Sequence, residues 1–109
     1  MNPEYNPQIA DICYRKAKYF IETHNNTDDD EVKQQIAVLN YLLFRFMNKS
    51  PRKYIPTQEL INQLVYLGYD KLSLQTFRNR IIAKLRDNEV IISSSSSGYK
   101  IPSTEKELY

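Results

Sequence analysis

The chain is poor in the residues that most often carry catalysis or crosslinks. It has one cysteine, one histidine, no tryptophan and two glycines in 109 residues. A lone cysteine cannot close a disulfide within the chain. One cysteine and one histidine cannot ligate a structural zinc. Two glycines leave no Gly-rich loop for a phosphate and too few tight turns for an all-β fold. No apolar run reaches the roughly 18 residues of a membrane span and no signal peptide is recognised, so a cytoplasmic protein away from the membrane is expected. His24 lies in a polar stretch with no Ser or Cys partner near it in sequence. Cys13 lies on an apolar stripe, where packing is its expected role. With no metal or phosphate motif present, the expectation is no enzyme, no cofactor and no metal.

What the chain does have is an uneven charge. Fifteen Lys and Arg against thirteen Asp and Glu give +2 overall, which excludes a polybasic or histone-like protein. Residues 28–31 are Asp-Asp-Asp-Glu, whereas residues 49–100 hold nine basic residues against four acidic, a net of +5. Such asymmetry points to an anionic partner for the C-terminal half, nucleic acid first. A solvated charged surface has the same composition. With 41% apolar and 26% charged residues the chain belongs to the globular class.

Hydrophobic spacing and capping residues divide the chain. Residues 1–7 form an irregular lead-in. Residues 8–23 read as a helix with Ile9, Ile12, Cys13, Phe20 and Ile21 mostly on one side. A polar linker, 23–27, precedes a second helix capped by Thr27 or Asp28, with the acidic run in its first turn. Its broad apolar face, Val32, Ile36, Val38, Leu39, Leu42, Leu43, Phe46 and Met47, makes it the central element of the core. Pro51 ends it. Tyr54-Ile55 is a short extended pair. Thr57 is the expected cap of a third helix that buries Leu60, Ile61, Leu64 and Leu67 and stops at Gly68. Ser73 caps a fourth helix to about Asn88, with Leu74, Phe77, Ile81, Ile82 and Leu85 inward. Val90-Ile91-Ile92 and Tyr99-Lys100-Ile101 read as strands of a hairpin around the serines and Gly98. Ser103 or Thr104 then caps a further helix, with Glu107 completing a capping box.

Residues 54–101 resemble the winged helix-turn-helix family. The stretch that carries the likeness runs from Leu72-Ser73-Leu74-Gln75-Thr76-Phe77-Arg78-Asn79-Arg80 to Leu85-Arg86 and on to Val90-Ile91. Ser97-Gly98-Tyr99-Lys100-Ile101-Pro102 is similar to the ending of small bacterial and phage members. The resemblance implies a mainly α fold with a small β-hairpin, preceded by an extra N-terminal helix. The expected divisions are 1–27, N-terminal helix and linker; 28–102, the winged domain; and 103–109, the start of another helix that continues beyond Tyr109. It implies a small regulator, or the DNA-docking part of a mobile-element, replication or restriction-related protein. The fourth helix, 73–88, would enter the major groove of double-stranded DNA, with the wing, 90–101, on the backbone or minor groove.

A wheel at 100° per residue turns Thr76, Asn79, Arg80, Ala83 and Asp87 away from the apolar side, with Gln75, Lys84 and Arg86 on the flanks. Asn79 can pair with adenine and Arg80 with guanine. Any amphipathic helix also needs such a polar face. Arg78 falls near the apolar side and is expected to pair with a carboxylate or lie along the core edge. The DNA-binding set is therefore Thr57, Gln58, Gln75, Thr76, Asn79, Arg80, Lys84, Arg86 and Lys100. Thr57 and Gln58 enter it because a helix N-terminus accepts phosphate, and Lys100 as a phosphate contact of the wing. Lys49, Arg52 and Lys53 either touch the backbone or are solvated. Tyr54, Tyr66, Tyr69 and Tyr99 are expected at half-buried core edges. A homodimer through residues 8–23 is expected. The competing function is a protein-interaction or dimerisation module on the same fold.

Overall fold

A computed structural model describes residues 5–48 and 53–108. The lead-in up to residue 4, the loop proline Pro51, Lys49 and Arg52, and the terminal Tyr109 lie outside the described residues. The architecture is mainly helical with one small antiparallel hairpin. Among the described residues no helix is long and apolar enough to cross a membrane.

Helix α1 spans Pro7–His24. Asn6 caps it, its Oδ1 accepting from the amides of Gln8 (2.9 Å) and Ile9 (3.2 Å), with Pro7 in the first turn. Helix α2 spans Asp30–Asn48. Its cap is Asp29 rather than Thr27 or Asp28: Asp29 Oδ1 accepts from the amides of Glu31 (2.8 Å) and Val32 (3.3 Å). Thr27 acts one step earlier, its Oγ1 accepting from the Asp29 amide. Helix α3 spans Thr57–Tyr66 and starts from Pro56, so Thr57 is its first residue and not its cap. Gly68 ends it at φ 101°, with the Gly68 amide on the Val65 carbonyl and the Tyr69 amide on the Leu64 carbonyl. This pair of bonds is a Schellman closure. Ser73 caps the fourth helical stretch, α4 (74–87), its Oγ accepting from the Thr76 amide at 3.1 Å. The same closure ends α4, with the Glu89 amide on Arg86 and the Val90 amide on Leu85. Here a glutamate takes the left-handed position, at φ 69°.

The core has α2 at its centre. It packs against α1, α3, the middle of α4 and the second hairpin strand. Cys13, Ala17 and Phe20 of α1 join the same buried cluster as Leu39, Leu60, Phe77 and Ile101, so α1 is part of this core and not an appendage to it. Ile12 is half exposed, because the buried stripe of α1 runs through Ala10, Cys13, Ala17 and Phe20. Leu67 and Leu74 are also half exposed, because they flank the α3–α4 turn at the rim of the core. Burial pushes the Cys13 thiol up to about 11, so it is neutral at physiological pH.

The hairpin consists of β1 (Ser93–Ser95) and β2 (Gly98–Lys100), paired Ser93 to Lys100, Ser94 to Tyr99 and Ser95 to Gly98. The first strand therefore lies three residues later than Val90–Ile92, and the serines are themselves the strand. Val90 and Ile92 are buried as the extended connection out of α4. The cause lies across the sheet. Ile55 bridges Tyr99, its amide donating to the Tyr99 carbonyl at 2.7 Å and its carbonyl accepting from the Tyr99 amide at 2.9 Å. That crossing brings Gly98 so close that a Cβ on it would lie 1.9 Å from the Ile55 carbonyl oxygen.

Beyond β2 the chain closes back. The Asn6 amide donates to the Ser103 carbonyl, and Tyr5 bridges Thr104. The expected capping box is present: Glu107 Oε1 accepts from the Ser103 and Thr104 amides, and the Glu107 amide donates to Thr104 Oγ1. It opens a single 3-10 turn, Lys106–Leu108.

Two substitutions of opposite sign test this account. Gly98→Ala combines a backbone collision with φ 127° and is expected to cost upwards of about 3 kcal/mol. Glu89→Gly relieves a left-handed non-glycine residue and is expected to raise stability by about 0.5–1 kcal/mol. Urea denaturation of both variants measures the two changes.

Candidate nucleic-acid interface

The outer surface of α4 is the place where the candidate residues converge. The helix is not uniform. An α-turn, Leu74–Phe77, leads into a π turn, Arg78–Ile82, and then α-helix resumes as Ala83–Asp87. The Ala83 amide reaches back five residues to the Arg78 carbonyl. A π turn widens the helix by one residue and disturbs its hydrogen-bond ladder at that point. The Arg80 carbonyl, inside the widened turn, accepts from the Gln35 side-chain amide of α2 at 2.9 Å. Gln35 is only 3% exposed. A polar side chain buried on the apolar face of α2 thus has one evident task, to complete the backbone of α4. The wide turn also lets Ile81 and Ile82 both face the core beneath Phe77.

The candidates separate along this helix. Gln75, Asn79, Arg80 and Lys84 are exposed, and Thr76 is half-buried at the start, its Oγ1 accepting from Ser73 Oγ. Arg80 is 68% exposed, with its Nε 3.9 Å from Glu31 Oε1, a solvated contact at the limit of an ion pair. Arg86 is committed on one edge: its Nε and Nη2 donate to the Ile92 carbonyl at 3.3 and 2.6 Å, tying α4 to the extended connection that follows. Thr57 and Gln58 lie at the start of α3, which has no side-chain cap, and Gln58 Nε2 donates to Asn62 Oδ1.

Lys100 has to be withdrawn from the set. It is 3% exposed and its ammonium is paired with the Glu107 carboxylate under the hairpin, 5.7 Å from the centre of the Tyr54 ring. The expectation of a wing contact fails here, because the C-terminal turn that carries Glu107 covers Lys100. Tyr99 is buried against Phe77 rather than at an edge, and Tyr66 is 84% exposed. Tyr54 and Tyr69 are half-buried as expected. Lys53 is exposed.

Of the two expectations for Arg78, a carboxylate partner or a place along the core edge, the structure shows only the second. Its expected carboxylate is missing among the described residues, and it is exposed. It lines an open cleft of about 360 Å³ between α4 and the hairpin, together with Ile82, Ala83, Arg86, Ser94, Ser95 and Tyr99. A wheel of constant pitch does not find it, because the π turn changes the pitch at Arg78 itself.

The bracing of this surface is polar. Glu59 of α3 accepts from both the Tyr41 hydroxyl and the Arg45 guanidinium of α2. The hydrogen bond to Glu59, followed by burial, raises the Tyr41 pKa above its usual value. Among the described residues no group of three or more His, Cys, Asp or Glu could hold a metal. Comparison with protein-family models, with curated proteins and with solved structures finds no match for the chain.

The π turn supplies a direct test. Gln35→Leu keeps the volume but removes the donor to the Arg80 carbonyl, and is expected to destabilise the protein by about 1–3 kcal/mol. Equilibrium denaturation measures the loss, and amide exchange is expected to rise first at residues 80–84.

Proposed function

We propose that the chain is a winged helix-turn-helix domain that binds double-stranded DNA. In this reading α3 braces, α4 enters the major groove, and the β1–β2 hairpin is a wing beside it. The observation that carries the reading is the Ile55–Tyr99 bridge. It adds a third extended segment to the hairpin behind the helix pair, which supports the order helix, short strand, helix, turn, helix, strand, wing, strand from α2 onward. The exposed set Gln75, Asn79, Arg80 and Lys84 on the free side of α4 supplies hydrogen-bond donors and positive charge for base edges and phosphates. A small cytoplasmic regulator acting as a homodimer fits this use, since two copies extend a short recognition site.

A second reading, a protein-interaction module, is favoured by one observation. Val65, Tyr66, Leu67 and Leu74 are exposed apolar residues around the α3–α4 turn.

Fluorescence anisotropy against a pool of random duplexes at low salt separates the two. Binding is expected, falling steeply as salt rises, and Arg80→Ala is expected to weaken it by about tenfold or more with the fold intact. Absence of binding to any duplex at low salt overturns the DNA reading. Loss of binding to a protein partner in Tyr66→Ala would support the second.

A further inference from the structure

We infer that the cleft between α4 and the hairpin is a phosphate site, holding one backbone phosphodiester of the bound DNA between Arg78 and Arg86. The inference rests on the DNA-binding reading and goes further, because it divides the surface into a part that grips and a part that reads.

The cleft has the chemistry of an anion site. Its lining comes from two elements: Arg78, Ile82, Ala83 and Arg86 on one face of α4, and Ser94, Ser95 and Tyr99 on the hairpin. Two guanidinium groups line it and no carboxylate does. A second open cleft, where α1 meets the end of α4, differs in this respect. Its Arg15 is paired with Asp11, and Glu89 lines it beside Lys16. The carboxylate near the α4 cleft, Glu107, lines an adjoining cleft with Arg86 and Ser94 and is paired there with Lys100.

The two arginines are prepared differently. Arg86 is ordered before any ligand arrives. Its Nε and one Nη2 hydrogen are spent on the Ile92 carbonyl, which leaves the hydrogens of Nη1 for an incoming oxygen. Such preorganisation lowers the cost of binding. Arg78 is exposed and has no carboxylate among the described residues, so it is free to close on the ligand from the opposite end of the cleft. Ser95 contributes a directed donor. Its Oγ accepts from the Ser97 amide at 3.0 Å, so its proton is available elsewhere. Ser94 is exposed beside it. Guanidinium groups with small hydroxyls at close approach are the donor set that phosphate oxygens prefer. A strand seated here has α4 on one side and the hairpin on the other. A contact of this kind sets register and carries no base information.

The experiment is anisotropy of the full chain with several unrelated labelled duplexes across a salt series, on the wild type, Arg78→Gln and Arg80→Ala. Arg78→Gln is expected to weaken binding by about tenfold on every duplex alike and to flatten the log–log salt dependence by about one phosphate. Ser94→Glu, which places a carboxylate in the cleft, is expected to weaken it at least as much. Circular dichroism melts confirm that each variant is folded. If Arg78→Gln and Ser94→Glu bind like the wild type with an unchanged salt slope while Arg80→Ala weakens, the phosphate site is overturned and DNA binding stands. If the wild type binds no duplex at low salt, both fall. A titration with inorganic phosphate, followed by the Arg78 side-chain and Ser94 and Ser95 amide resonances, separates the sources. Saturable shifts in a chain that ignores DNA would assign the cleft to free phosphate and overturn the backbone assignment.

Discussion

The hydrogen bond from the Gln35 amide to the Arg80 carbonyl is the interaction on which the geometry of the surface depends. A helix that widens by one residue disturbs its own ladder, and an unpaired carbonyl at a helix–helix contact costs about as much as a lost hydrogen bond. The partner comes from α2, the element at the centre of the core. The widened turn is thereby tied to the centre of the core. Everything on α4 takes its direction from that turn. Ile81 and Ile82 both face inward, Arg80 sits over the start of α2 near Glu31, and Arg78 swings to the hairpin side.

A second constraint positions the hairpin against this helix. Gly98 passes the Ile55 backbone where no side chain has room. That crossing sets where the antiparallel pairing begins, so it determines which serines are strand and which are turn. Arg86 then stitches the end of α4 to Ile92, and the buried Lys100–Glu107 pair closes the opposite face. Breaking a buried pair leaves an uncompensated charge, so Lys100 belongs to the structure of the hairpin rather than to its outer surface. Helix and hairpin are thus held at a defined separation, and the cleft between them is a product of that spacing.

Much of the fold was legible in advance. The caps at Ser73 and Thr104, the stop at Gly68 and the central role of α2 follow from local rules, because capping and hydrophobic periodicity act within a few residues. Most of the failures arise where contacts beyond a single element decide. Thr57 reads as a cap by its residue type, but the helix starts one residue earlier, from Pro56. Ile12 looked buried because α1 was read without the face that α2 offers it. Val90–Ile92 looked like a strand because β-branched residues prefer one, whereas pairing partners decide. The candidate set Gln75, Asn79, Arg80 and Lys84 was readable as an exposed face, while the burial of Lys100 and the lack of a carboxylate on Arg78 were not.

By itself the sequence determined the four main helices, the ends marked by Ser73 and Gly68, the existence of a hairpin and the sign of the charge in the C-terminal half. Those properties depend on residues within one turn or one strand of each other. Only the tertiary structure decided the register of the hairpin, the burial of Lys100 and the direction of Arg78. Each of these depends on a contact between residues far apart in the chain: Ile55 with Tyr99, Lys100 with the cap that follows it, and Gln35 with the widened turn of α4.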